Sequence, residues 1–227
     1  MHLDHVAGLV INSTIDSSKP IFGIDSTINF LKDHLFNWKI WPNFGSEGLK
    51  PLNLYRYQRM QLGKKVSIPN TQMTVEPFLL NHPGGYQSTA FLIESAGSYV
   101  LYFGDTSPDD LEPQKRMEIV WKRVAPLIRG KKLKCIFLEC SYTDEQEKRE
   151  LFGHLNAKYL VEELKKLALL VDPINPSLKD LQIVVTHIKE SFLKGVSSQK
   201  IIESELTQLN SLDIEFIFPK QGERLKF

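Results

Sequence analysis

The chain has 227 residues, 42% of them hydrophobic and 24% charged, with a formal net charge of +1. This size and balance point to a single globular domain over residues 1–227, and give no electrostatic case for nucleic acid or a membrane surface as partner. No apolar run reaches the roughly 18 residues that a membrane-spanning helix needs.

The chain opens on a dense ligand cluster. His2, Asp4 and His5 place two imidazoles and a carboxylate within four residues, ahead of an apolar run from Val6 to Ile11. A helix opening on such a cluster lets these side chains diverge toward two neighbouring ions. Imidazole suits Zn2+, and the hard carboxylate suits a bridging or second-site role. A short helix is predicted over 6–13, and 19–24 reads as a strand. Asp25, Ser26 and Thr27 are expected to cap a helix through Phe36, with Ile28, Leu31 and Leu35 at helical spacing. His34, near its end, reads as a partner of the helix dipole. Residues 37–43 are aromatic and turn-rich and read as cover over the core. Residues 44–51 are loop.

Residues 52–80 carry two or three strands, the clearest over 73–80, which ends in a turn bearing His82. Two more strands, 88–94 and 99–103, flank a turn at 96–98, and the second ends at Gly104-Asp105-Thr106. A helix is expected over 109–127 with Ile119 and Trp121 facing inward. Residues 135–139 form a buried strand ending in Glu139. Residues 145–150 are charged and solvated. A helix runs from the Leu151–Leu155 stretch to 170, and Pro173 and Pro176 break it. The apolar strand 181–186 ends in His187, an amphipathic helix covers 197–208, and an alternating strand covers 213–218. There is no repeat or low-complexity segment.

Cys135 and Cys140 fall on one strand segment. Five residues apart, their side chains point to opposite faces and should not bridge. Free buried thiols fit a reducing compartment, hence a cytoplasmic protein.

Three apolar strands therefore end in one metal-capable side chain each: Asp105, Glu139 and His187. Sites in α/β layers gather at the carboxyl ends of strands. With His82 and the opening cluster, these residues make a candidate two-metal site. Two divalent ions about 3.5–4 Å apart can share a hydroxide and bring its pKa toward about 7. A phosphodiester suits such a pair, because the charge that develops on it lies between two cations.

His2-Leu3-Asp4-His5 resembles the end of the H-x-H-x-D-H signature of the metallo-β-lactamase superfamily. The longer run from His2 to Ser13 resembles the class II (fungal low-affinity type) cyclic-nucleotide phosphodiesterases, with Thr14 departing from the usual Ala or Pro. Phe152-Gly153-His154-Leu155 and the blocks at 34–37 and 40–43 resemble the same family. Phe103-Gly104-Asp105-Thr106 and Val185-Thr186-His187-Ile188-Lys189 match less specifically, but stand in the family's order. The resemblance runs from residue 2 to about residue 190.

The resemblance implies an α/β, metallo-β-lactamase-like αββα sandwich. One metal would take His2, His82 and Asp105 with a histidine preceding Met1. The other would take Asp4, His5, Asp105 and His187. Asp4 and His154 are implied as catalytic. His154 would stand on the substrate side, as a phosphate contact or a proton donor to the leaving oxygen, and Glu139 would orient a histidine from outside the ligand set. The implied reaction is hydrolysis of 3',5'-cyclic nucleotides (cAMP, with cGMP as a further substrate) to 5'-monophosphates by a metal-activated hydroxide, which ends cyclic-nucleotide signalling. The implied cofactors are two divalent metal ions, Zn2+ by ligand type, and the partner is the small-molecule cyclic nucleotide; a homodimer is compatible with the family. Two alternatives stay open: another phosphodiester or thioester hydrolase of the superfamily, or an inactive fragment. Because the signature's first histidine and the fold's first strands would precede Met1, an N-terminally truncated chain is expected, with exposed sheet edges and a weakened first metal position.

Overall fold

The structure, a computed structural model, describes residues 6, 8, 10, 18–83, 85–192 and 195–227. It divides into two compact units, Met1–Lys64 and Lys65–Phe227. Apart from Val6, Gly8 and Val10, the helix expected over 6–13 lies outside the described residues.

In the first unit, strand β1 (Lys19–Gly23) pairs in parallel with β2 (Tyr55–Arg59). Helix α1 (Asp25–Phe30) follows β1 and continues as a wider turn through Leu31–Leu35. Ile28, Leu31 and Leu35 bury one stripe against Phe36 and Tyr55, as their spacing predicts. The expected cap differs. The residue before the helix is Ile24, which makes no side-chain cap bond. Asp25 lies inside the first turn, where its charge still meets the positive end of the helix. Its carboxylate takes the Arg59 guanidinium at 3.1 Å, and Arg59 also meets Glu47 at 2.7 Å.

The second unit is a seven-stranded sheet with helices between its parallel strands. The strands are β3 (Val66–Ser67), β4 (Met73–Asn81), β5 (Gln87–Ser95), β6 (Ser98–Phe103), β7 (Leu133–Glu139), β8 (Gln182–Thr186) and β9 (Glu215–Ile217), paired in that order. Pairs from β3 to β6 are antiparallel and those from β6 to β9 are parallel. It follows that β4, β6, β7 and β8 run the same way, and their carboxyl ends share one edge of the sheet. That edge positions the site.

Each parallel step needs a crossover. Helices α2 (Arg116–Arg129), α3 (Ala157–Val171) and α4 (Ser198–Leu209) supply them, and they pack side by side. The core holds Phe103, Trp121, Ile136, Leu138, Leu160 and Ile183, all almost fully buried. Each such side chain contributes about 1.5–3 kcal/mol by leaving water. Asn156 caps α3 by accepting from Tyr159 N–H at 3.0 Å, and Ser197 caps α4 by accepting from Lys200 N–H.

Two expectations for residues 109–127 are corrected. Residues Asp109–Leu111 form only a 3-10 turn, and the helix starts at Arg116. Pro113 offers no N–H and disfavours a helical residue before it. Ile119 is 61% exposed, whereas Trp121 is fully buried. Two residues along a helix rotate the side chain by about 200°, so the two cannot share the inner face that Met117, Val120, Trp121 and Val124 occupy.

Cys135 and Cys140 are free and buried. Among the described residues, no helix is long and apolar enough to cross a membrane.

Candidate metal centre

His82 follows β4, Asp105 follows β6, Glu139 ends β7 and His187 follows β8. His154 comes from the turn before α3. Apolar runs end here in polar residues because this edge of the sheet is where strands leave the core. His82, Asp105 and His187 are half-buried, while His154 and Glu139 are 5% and 1% exposed.

The five side chains converge. The His82 and His154 rings meet edge to face at 5.2 Å between centroids, and His154 stacks on His187 at 5.1 Å. His187 Nε2 lies 3.6 Å from Asp105 Oδ1. Ligand atoms of His82, Asp105 and His154 lie within 4.8 Å of one another, and so do those of Glu139, His154 and His187. His2, Asp4 and His5 lie outside the described residues.

Each imidazole is held through Nδ1. His82 Nδ1 stands 3.1 Å from the Gly153 carbonyl, which can only accept, so Nδ1 carries the proton. His154 Nδ1 stands 3.0 and 3.1 Å from the two Glu139 oxygens. His187 Nδ1 stands 2.8 Å from Ser141 Oγ. Holding Nδ1 leaves Nε2 of each ring for a ligand, the arrangement in which histidine commonly binds metals, and Nε2 of His187 faces Asp105.

Glu139 is the hub of this shell. Beyond His154 it accepts from Thr106 N–H at 2.6 Å, from the Ser141 hydroxyl at 2.5 Å and from Leu155 N–H at 3.3 Å. Four donors hold a buried carboxylate that would otherwise be costly to desolvate. The bond to Thr106 also fixes the loop carrying Asp105.

Two glycines make the close approaches. A Cβ on Gly104 would lie 2.6 Å from Ser88 Oγ and 3.1 Å from the Thr89 carbonyl, so a side chain there would have to displace both neighbours. Gly153 has φ of +82°, and a Cβ there would stand 1.8 Å from Pro83 Cδ. Only glycine allows residues 152–154 to run against the His82 turn.

Ser141 and Gly153 were not among the residues expected to act. Ser141 could have been found from strand alternation, since it lies two residues beyond Glu139 and shares its side. Tyr142 was also missed. Its ring lies 6.0 Å from that of His154, and Lys189 Nζ meets its hydroxyl at 3.1 Å.

Comparison with known proteins matches residues 1–222 to the family described as class-II cAMP phosphodiesterases. A 3',5'-cyclic-nucleotide phosphodiesterase of Aliivibrio fischeri is 44% identical over all of this chain and 68% of its own length. The crystal structure of unliganded yeast PDE1 is similar with a TM-score of 0.81 and 28% identity, over 95% of this chain and 63% of that one. The metallo-β-lactamase fold protein YhfI from Bacillus subtilis has a TM-score of 0.59 at 14% identity, over 95% of this chain and 70% of that one, a likeness of fold alone. The chain spans about two thirds of the length of the curated relatives it matches. Its fold is the metallo-β-lactamase fold. That fold implies a divalent metal centre, and imidazoles held through Nδ1 beside a carboxylate fit one.

Proposed function

The chain belongs to the class-II cAMP phosphodiesterase family, and on that premise we propose that it hydrolyses 3',5'-cyclic nucleotides, cAMP and also cGMP, to 5'-monophosphates, ending a cyclic-nucleotide signal. His82 and Asp105 would hold one divalent ion, and Asp105 and His187 a second. By the family resemblance His2 would join the first set, and Asp4 and His5 the second. Imidazole-rich ligation favours Zn2+. When bound, such a pair acidifies water to a nucleophile near neutral pH and offsets charge on the phosphoryl oxygens.

The protein's own groups do the rest. Asp105 lies near both His82 and His187, so one carboxylate would serve both ions. His82 and His187 are held by their outer nitrogens at fixed ring angles. His154 is the proton donor. Water loses a proton to solvent and adds as hydroxide to phosphorus, the bond from phosphorus to O3' breaks, and His154, entering the step protonated on both ring nitrogens, gives O3' its Nε2 proton. The phosphate stays on O5'.

The observation that carries this reading is the Glu139 carboxylate on His154 Nδ1, at 3.0 and 3.1 Å. It fixes that nitrogen as a donor and leaves the other for the site. A positioned general acid contributes about 10²–10⁴-fold.

The test is product identity. Chain loaded with Zn2+ and supplied with 3',5'-cAMP is expected to release 5'-AMP, and EDTA to stop the release. Production of 3'-AMP, or hydrolysis of bis(p-nitrophenyl) phosphate with cAMP untouched, would overturn the proposal.

A further inference from the structure

Ser141 is fully buried at the exit of β7. Its hydroxyl makes three contacts: Glu139 Oε2 at 2.5 Å, His187 Nδ1 at 2.8 Å and the His187 carbonyl at 3.0 Å. It has one proton to give. The carboxylate is charged, acceptor-only and closest, so it takes that proton. The Ser141 oxygen must then accept, and among the described residues the donor facing it is His187 Nδ1–H, because a carbonyl cannot donate. That leaves His187 as the Nδ1–H tautomer.

The backbone holds the arrangement in place. Cys140 N–H donates to the Thr186 carbonyl at 3.0 Å, Ser141 N–H to Leu155 at 2.8 Å, and Lys189 N–H to Ser141 at 3.1 Å. The first and third bonds tie the exits of β7 and β8 together, and the second ties the β7 exit to the turn before α3. His187 itself sits in the left-handed region with φ of +57°. A non-glycine residue persists there only when its surroundings over-determine it.

We propose that Ser141 is a positioning residue. It relays the charge of Glu139 to His187, so that one buried carboxylate orients two imidazoles: His154 directly and His187 through the serine hydroxyl. The relay keeps His187 as the Nδ1–H tautomer, with Nε2 on the Asp105 side. The metal half of this inference rests on the reading of His187 as a ligand.

The test compares the full chain with Ser141→Ala and Ser141→Thr. The first readout is the imidazole 15N spectrum of His187 in metal-free protein at fixed pH, which reports the tautomer. The second is Zn2+ affinity by competition with a chelator. The parent should show the Nδ1–H tautomer. Ser141→Ala should lose its dominance and bind Zn2+ about 10–100-fold more weakly. Ser141→Thr keeps the hydroxyl and should restore both; should its added methyl prevent folding, parent against Ser141→Ala decides. A parent His187 protonated on Nε2, or an Ala variant unchanged in both readouts, overturns the inference. A shifted tautomer with unchanged Zn2+ affinity keeps the relay and overturns the assignment of His187 as a ligand.

Discussion

His82 donates its Nδ1–H to the carbonyl of Gly153, 71 residues away in sequence, at 3.1 Å. The contact depends on the missing side chain of Gly153, because a Cβ there would stand 3.0 Å from that same nitrogen and 1.8 Å from Pro83 Cδ. Gly153→Ala should therefore displace the His82 turn and lower Zn2+ affinity about 10–100-fold. Chelator competition measures this directly, and unchanged affinity in a folded variant would contradict the role given to the turn.

Replacing His154 separates a proton donor from a metal ligand. His154→Ala should lose about 10²–10⁴-fold in kcat on cAMP while keeping the parent's Zn2+ content. His154 lies within ligand distance of His82 and Asp105, so the alternative has a clear signature. Loss of bound Zn2+ in this variant would move His154 into the ligand set.

The two thiols should be inert in the native protein. Burial pushes the Cys135 thiol up to about 12. Cys140 is also pushed well above its ordinary value, chiefly by burial and then by the charge of Glu139. The thiolate is the reactive form, so alkylation by iodoacetamide at pH 8 should be slow until the chain unfolds. Both folded values are raised, so their stabilising effect is complete below about 8.5, the ordinary thiol value, and is lost as pH rises through the folded values. Rapid native labelling of both thiols would contradict their burial.

Glu163 joins α2, α3 and the turn before α2. It accepts from Asp109 N–H at 3.0 Å, Trp121 Nε1–H at 3.1 Å and Lys166 Nζ at 2.7 Å, and is 1% exposed. Glu163→Ala would leave two buried donors without an acceptor. The expected cost is about 2–4 kcal/mol, read by denaturant unfolding. A change below about 0.5 kcal/mol, the range of ordinary surface substitutions, would contradict the network.

Most of the sheet was legible in the sequence because its strands obey simple rules. The runs ending at Asp105, Glu139 and His187 are apolar and short, and each does end a strand or follow one. The run before His82 was equally clear. Their convergence was expected from the rule that sites gather at the carboxyl ends of strands, and β4, β6, β7 and β8 do run the same way. The start of α2 was not legible in the same way. Asp109 caps it from outside the helix, its carboxylate accepting from Met117 N–H at 3.0 Å and Glu118 N–H at 2.8 Å. Residues so far apart in sequence give no local capping pattern. Ile119 was misplaced because apolarity was read without helical phase. Ser141 escaped notice because a serine after a strand is ordinary; its importance lies in contacts with His187, 46 residues away.

Asp105 is proposed as the one carboxylate that both halves of the site would share. Metal content per chain, measured by mass spectrometry on the Zn2+-loaded parent and on Asp105→Ala with matched circular dichroism, tests this most directly. About two ions are expected in the parent, and in the variant loss of both together with loss of cAMP hydrolysis. A folded Asp105→Ala variant that keeps the parent's full metal content and activity would contradict it.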